Sequence, residues 1–312
     1  MNQTVTTKIR PNAFRILVPA TTANLGPGFD CMGMALALYN EIEVIPLDAP
    51  PDSMEIVEIE GEGSLELPRD DRNIIVYGMH RVFARAGVTP PPFRLKTINH
   101  IPMMSGLGSS SAAIVGGIIA GNELIDRPFT RDDLLTLATE MEGHPDNVGP
   151  ALLGGLIVAV ATASMPIIAQ VEVPPLQAVI VTPDLRVATD EARRMLPSML
   201  SRHDAIYNIG RAALVVQAFS KGDYDLLGRA MDDRLHQPYR KHLIKGYDDV
   251  VSAAKATGAS AVAISGSGPT LIAFAPDQHK AIAHEMRQAF AVHEINSRAW
   301  VLEVDRLGAR RV

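Results

Sequence analysis

The stretch that most limits how this chain can fold is 101–121, IPMMSGLGSSSAAIVGGIIAG. It leaves an apolar segment, passes Gly106 and Gly108, and meets three consecutive serines, Ser109, Ser110 and Ser111. From Ala112 it becomes a run of small apolar residues that reads as a buried helix. Glycine carries no Cβ and tolerates positive φ, so the backbone here can come close to a ligand. A helix opening at such a loop aims unpaired N–H groups and its positive dipole end, about half an elementary charge, at whatever the loop holds. Phosphate is the natural guest, and a side chain at Gly108 is expected to stand where the backbone must meet it. The hydroxyls add donors, and a serine oxygen is also a Mg²⁺ ligand type. No Gly-Lys-Ser/Thr follows, so the loop is not a Walker A motif. A glycine-rich helix start used only for close packing explains the same letters, and the loop by itself leaves both readings open.

Composition narrows the class. With 312 residues, the chain has room for two domains or one large one. It is 47% hydrophobic but only 5% aromatic, which suits close packing of strands and helices through small aliphatic side chains. The net charge is −6 and no basic block is present, so nucleic acid is not an expected partner. A single cysteine, Cys31, rules out an intrachain disulfide framework and suits a reducing compartment; it sits in an apolar run and reads as packing. MNQTVTTKIRPNAF has no apolar h-region, so no secretory signal is read and the cytoplasm is the expected location. Residues 148–171 lack ionisable groups over a length that raises a membrane span. Gly149, Pro150, Gly154, Gly155 and Pro166 interrupt them, and both flanks, Asp146 and Glu172, are acidic. The reading is a loop, a Gly-Gly turn and a buried strand at 156–160, with no membrane.

Along the chain, alternation predicts strands at 14–19, 35–45, 54–60 and 93–99. Helical spacing predicts 73–86, ended by Gly87, and 131–142, with Thr130 as N-cap and Asp132 and Asp133 in the first turn. Asn24-Leu25-Gly26-Pro27-Gly28 cannot be regular structure, because Pro27 lacks a donor between two glycines. Residues 49–52 read as a loop and 89–92 as a stiff connector. Pro174-Pro175 marks a candidate boundary. Beyond it lie a strand at 177–181, a short helix at 190–196 and helical patterns over 204–257, with turn signals at 221–222 and 237–238. Strands at 261–265 and 271–275 surround Gly266-Ser267-Gly268-Pro269-Thr270, and a helix at 278–291 and a strand at 299–305 follow. Mixed elements in both halves give two domains of strands and helices.

Four segments, PATTANLGPGFD at 19–30, GLGSSSAA at 106–113, EGHPDNV at 142–148 and SGSGPT at 265–270, together resemble the GHMP small-molecule kinases. That superfamily is named for galactokinase, homoserine kinase, mevalonate kinase and phosphomevalonate kinase. The glycine-serine loop and the late glycine loop are its general signal; ANLGPGFD and HPDNV with PALLGG are narrower and resemble the branch acting on homoserine. The likeness runs from residue 14 to residue 305 with the segments in family order. It implies an α+β, two-domain GHMP kinase fold. A ribosomal-S5-like N-terminal nucleotide-binding domain would occupy 1–172, and a ferredoxin-like C-terminal substrate-binding domain 173–312. ATP would sit in the cleft between them. The implied reaction moves the γ-phosphoryl group to the side-chain hydroxyl of L-homoserine, in threonine biosynthesis. Two rivals are a GHMP kinase for another small alcohol, such as mevalonate or a sugar, and a non-catalytic sensor on the same scaffold. HPDN and two C-terminal arginines weigh against the first, and Ser110 kept together with a metal-type glutamate weighs against the second.

The resemblance also implies residue roles. Pro102, Met103, Met104, Ser105, Gly106, Leu107, Gly108, Ser109, Ser110 and Ser111 would hold the nucleotide, with the phosphates on 106–111. Ser110 and Glu140 would hold Mg²⁺; Glu142 stays a rival, because the connection from the helix to His144 is short. A hard cation that keeps several waters needs few protein oxygens. For homoserine, Asp30 is implied near the ammonium with Asn24 beside it. His144 and Asn147 lie on the substrate side, and Arg193 and Arg240 offer forked guanidinium groups to the carboxylate. Arg194, one place from Arg193, stays open. The catalytic set is Asn147, His144 and Arg193. Asn147 stands where mevalonate-type members carry an aspartate base, and an amide cannot take up a proton at working pH. Transfer without a general base is therefore expected, with His144 as base the alternative. The 265–270 loop is either a plain hairpin turn or a brace for the phosphate loop or the substrate. His80, His100, His203 and His236 show no ligand spacing. The expected partners are L-homoserine and ATP, with Mg²⁺, and a homodimer is left open as the assembly.

Overall fold

A computed structural model describes residues 9–51, 53–54 and 56–312. Residues 1–8, on which the absence of a secretory signal was largely read, lie outside the described residues, as do Asp52 of the expected loop and Glu55 of the expected strand. The first half runs β1 (Phe14–Ala23), β2 (Met32–Pro46), β3 (Val57–Gly61), α1 (Ile74–Ala86), β4 (Phe93–Asn99), α2 (Ser109–Leu124), α3 (Arg131–Glu142), α4 (Pro145–Leu153), β5 (Leu156–Val160) and β6 (Ile167–Val171). The second half runs β7 (Gln177–Pro183), α5 (Thr189–Arg194), α6 (Arg202–Lys221), α7 (Tyr224–Ala230), α8 (Gln237–Arg240), α9 (Tyr247–Ala256), β8 (Ala261–Ile264), β9 (Leu271–Phe274), α10 (His279–Val292), β10 (Ser297–Glu303) and β11 (Arg310–Arg311).

Local signals set most boundaries. Asn73 caps α1 by accepting from the Ile75 N–H, and Gly87 closes it in the left-handed region. Thr130 and Asp133 form a reciprocal capping box at the start of α3. Helix α2 is apolar nearly all round and accordingly buried. Its Gly117 faces the Ile75 carbonyl so closely that a Cβ would overlap it, which is how α1 and α2 come into backbone contact. Strand β1 runs past the expected end at 19, because the register shifts between Pro19 and Ala20 and pairing with β2 resumes to Ala23.

Residues 148–153 overturn one expectation: they belong to α4, not a loop, although Pro150 sits inside the helix. Proline cannot donate to the carbonyl four residues back. That carbonyl, of Asp146, instead packs against Gly33, where a Cβ would overlap it. Tertiary contact outweighs poor local propensity here. The segment that raised a membrane span is thus α4, β5 and β6, and no helix among the described residues is long and apolar enough to cross a membrane.

Among the described residues the first sheet has seven strands in the order β11-β1-β2-β4-β3, with β5 beside β2 and β6 beside β5, and of these only β3 and β4 pair in parallel. The second is fully antiparallel in the order β10-β7-β9-β8. Counting its own strands from β7, this is the 4-1-3-2 order of a βαββαβ ferredoxin-like unit. The chain then leaves that sheet and ends on the edge of the first, as β11 against β1. The α+β architecture expected from the sequence is present.

Candidate active site

Helix α2 starts at Ser109, with Gly108 at its N-cap and at φ +69°. The helical bonds open with the Ala112 N–H donating to the Gly108 carbonyl at 2.8 Å, so the N–H groups of the three serines are not used by the ladder. Met104, Ser105, Gly106, Gly108 and the serines line a cavity of about 180 Å³. Pro102, Met103 and Ser105 line a neighbouring cavity of about 840 Å³, with Asn99, Thr182 and Trp300 on its other walls. Leu107 lines neither: it is fully buried, and its carbonyl accepts from the Thr21 N–H at 3.1 Å.

The 24–30 turn reaches the smaller cavity from β1. Asn24, Leu25 and Asp30 all lie at positive φ. Asn24 secures the turn on both sides: its Oδ1 accepts from the Asp30 N–H at 2.9 Å, and its Nδ2 donates to the Gly266 carbonyl at 2.7 Å. Beneath the turn, buried His236 donates from Nε2 to the Gly26 carbonyl at 2.7 Å, and burial holds its pKa below the usual value. The 265–270 loop braces the backbone at 105–106: Ser265 Oγ donates to the Gly106 carbonyl at 2.7 Å, and the Thr270 N–H donates to the Ser105 carbonyl at 3.1 Å.

The corner between α3 and α4 supplies the opposite wall. Gly143, at φ +92°, turns the chain after α3. Glu142 thereby meets α2, accepting from Ser111 Oγ at 2.6 Å. Glu140 does not reach the cavity. It lies on the outer side of α3 against Arg85 at 3.3 Å and Arg81 at 3.7 Å. The glutamate beside the serines is therefore Glu142, and the expectation for Glu140 is corrected: two residues along a helix is more than half a turn, so the two side chains point apart. His144 Nδ1 contacts Asp146 Oδ1 at 2.5 Å, and that hydrogen bond raises the His144 pKa. Asn147 Oδ1 accepts from Thr21 Oγ1 at 2.7 Å.

Two guanidinium groups close the site. Arg193 on α5 grips Asp30 with both ends of its fork, at 2.8 and 2.9 Å. Arg194 is exposed and does not line the cavity. Arg240 is only 2% exposed, and its recorded partners are the Gly266 carbonyl at 3.1 Å and the Ala192 carbonyl at 3.3 Å. No carboxylate pairs with it among the described residues, and burial, reinforced by Arg193, pushes its pKa down to about 10. Its position follows from Asp233, whose carboxylate accepts from the His236 and Gln237 N–H groups and so starts α8. Both guanidinium groups lie over the Phe29 ring, Arg193 at 5.5 Å and Arg240 at 5.0 Å from its centroid.

Asn24, Asp30, His144, Asn147, Arg193, Arg240 and Ser110 therefore share one cavity. Sequence reasoning missed Asp146, Thr189 and Ser267 on its walls. Asp146 was legible inside HPDN and Ser267 inside the 265–270 loop; Thr189 carries no local signal. Burial pushes the Cys31 thiol up to about 11, which disfavours the thiolate.

Known proteins share this arrangement's sequence. Residues 73–155 match the GHMP kinases N terminal domain and residues 215–292 the GHMP kinases C terminal family. Homoserine kinase of Moorella thermoacetica is 45% identical over 277 residues, covering 88% of this chain and 92% of that protein. Homoserine kinase of Desulfitobacterium hafniense is 41% identical over 299 residues, covering 95% and 98%. The crystal structure of homoserine kinase from Cytophaga hutchinsonii superposes with a TM-score of 0.86 at 30% identity, covering 100% of this chain and 99% of that one. Likeness of this extent, in a chain whose four motifs meet around one pair of cavities, shows that it belongs to the GHMP kinases and, within them, to the homoserine kinase family.

Proposed function

We infer that the protein transfers the γ-phosphoryl group of ATP to the side-chain hydroxyl of L-homoserine, giving O-phospho-L-homoserine for threonine biosynthesis. One observation carries this reading. A single small cavity joins a helix N-terminus with free N–H groups to a buried guanidinium that lacks a carboxylate and to a carboxylate–guanidinium pair. The first suits phosphate; the others suit the charged head of an amino acid. Release of ADP from Mg-ATP with homoserine, and not with mevalonate or shikimate, is the deciding assay. Equal release with all three acceptors would overturn it.

In this reading the nucleoside occupies the larger cavity, and its phosphates cross Ser105 to the start of α2. Residues 1–172 bind nucleotide and 173–312 complete the substrate side; Arg193 and Arg240 on the second unit support that division. Mg²⁺ neutralises phosphate charge when bound. Ser110 and Glu142 fit it: Ser111 occupies only Oε1 of Glu142, leaving Oε2 open. Glu142→Gln should raise the Mg²⁺ concentration for half-maximal rate by roughly ten- to a hundredfold, while Glu140→Gln leaves it unchanged. A Mg²⁺ titration of both variants checks this, and the opposite ranking would return the role to Glu140.

His144 bears on the proton. Its Nδ1 is engaged by Asp146, and that hydrogen bond raises its pKa above the ordinary value. We assign it substrate binding, with Asn147 orienting the hydroxyl and the proton leaving late, to a phosphate oxygen. Single-turnover rates at saturating homoserine should be flat from about pH 6 to 8, and His144→Gln should mainly weaken homoserine. A limb that vanishes in the variant, with a loss of about 10²–10⁴-fold, would instead make His144 the base. Stability has a definite sign as well. The folded pKa lies above the ordinary 6.5, so the contribution is complete below that value and is lost as pH rises through the folded pKa. Urea midpoints taken without nucleotide or Mg²⁺ should show this loss in wild type and not in His144→Gln.

We propose the cytoplasm as the compartment, with neither nucleic acid nor membrane as a partner, supported by the net charge of −6 and the single cysteine. A homodimer is the proposed assembly, supported by exposed Ile206, Ile209 and Leu214 along α6.

A further inference from the structure

Thr21 lies on β1, fully buried, and does not line the cavity. Its hydroxyl nevertheless meets both sides of the reaction. Oγ1 donates to Asn147 Oδ1 at 2.7 Å across a separation of 126 residues. The same oxygen lies directly under Gly108, where a Cβ would overlap it and would also come within 3.3 Å of Asn147 Oδ1. The Thr21 N–H holds the loop a second time, through the Leu107 carbonyl at 3.1 Å.

An amide has one accepting end and one donating end. With Oδ1 engaged by Thr21, the end left for a ligand is Nδ2, which has no acceptor among the described residues. We propose that Thr21 is a positioning residue for phosphoryl transfer: its hydroxyl fixes Asn147 with the NH₂ toward the acceptor alcohol and registers that amide against the phosphate loop. An alcohol oxygen that accepts from Nδ2 keeps a lone pair for attack, and its proton is directed away from the amide. Thr22, next along the strand, faces the other way and meets Ser265 Oγ at 2.9 Å, so only one of the two threonines serves this purpose.

This rests on Asn147 orienting the hydroxyl, and the test separates the two ideas. Steady-state kinetics are measured for Thr21→Val, Thr21→Ser, Asn147→Ala and the Val/Ala double variant. Thr21→Val should lower kcat by roughly ten- to a hundredfold while KM for ATP and for homoserine stays within about twofold. Thr21→Ser should restore most of the rate, and the double variant should be no slower than Asn147→Ala alone. If Asn147→Ala turns over normally, both the orienting role and this inference fail. If Asn147→Ala is slow but Thr21→Val is not, only the inference fails. Additive losses, or a raised KM for ATP with kcat unchanged, also overturn it. Should Thr21→Val not fold, Thr21→Ala, which leaves space instead of filling it, is read against the same outcomes.

Discussion

Gly108→Val is expected to abolish turnover, by at least roughly a hundredfold, and to weaken ATP. Two effects combine. The residue sits at φ +69°, a left-handed conformation that costs a branched side chain on the order of 1–2 kcal/mol. Its Cβ would also overlap the Thr21 hydroxyl. The sequence alone suggested that a side chain here would meet phosphate; the structure turns it inward, onto β1 and Asn147. The loop must therefore lift, which carries the serine N–H groups away from the phosphates and disturbs the amide that orients the acceptor. Calorimetric titration with ATP, beside circular dichroism to verify the fold, measures the outcome. A folded variant with near-normal binding and rate would show that this loop is not the phosphate cradle. Gly108→Ala, with a smaller clash and the same φ, should be intermediate.

Arg240→Met is expected to raise KM for homoserine by roughly ten- to a hundredfold, the loss of one charge-assisted partner, with KM for ATP little changed. The same substitution should not lower the thermal midpoint. Arg240 is a buried cation bonded only to carbonyls, and burial already pulls its pKa down to about 10. Methionine fills much of the same volume and removes the desolvated charge. Arg193→Ala is the contrast: it strips Asp30 of its bidentate partner as well as weakening homoserine. With an uncharged amino alcohol in place of homoserine, wild type and Arg240→Met should converge. Equal impairment of the variant for both acceptors would mean that Arg240 does not bind the carboxylate, and a large drop in midpoint would mean that it is a structural residue.

The sequence by itself determined what depends on near neighbours along the chain. The cap at Thr130, the stop at Gly87 and the helix at Arg131–Glu142 follow from bonds within a few residues, and the strand at Phe93–Asn99 from its alternation. The motif residues were legible as well, because glycines, serines and charged groups in those orders are recognisable without coordinates. Facing was not legible. Whether Glu140 or Glu142 looks at the serines depends on how α3 packs against α1 and α2, which pairs Glu140 with Arg85 and Glu142 with Ser111, 31 residues away. Arg193 rather than Arg194 meets Asp30 across 163 residues, and β11 finds the edge of β1 only after the second sheet is built. Helix α4 forms around Pro150 because Gly33 of β2 receives the carbonyl that proline frees. Thr21 lies inside the 19–30 segment, but what its hydroxyl meets is decided by β1 running beneath Gly108 and beside Asn147. Each of these turns on contacts between segments distant in sequence, where local propensity and periodicity carry no information and packing decides which side of an element meets its partner.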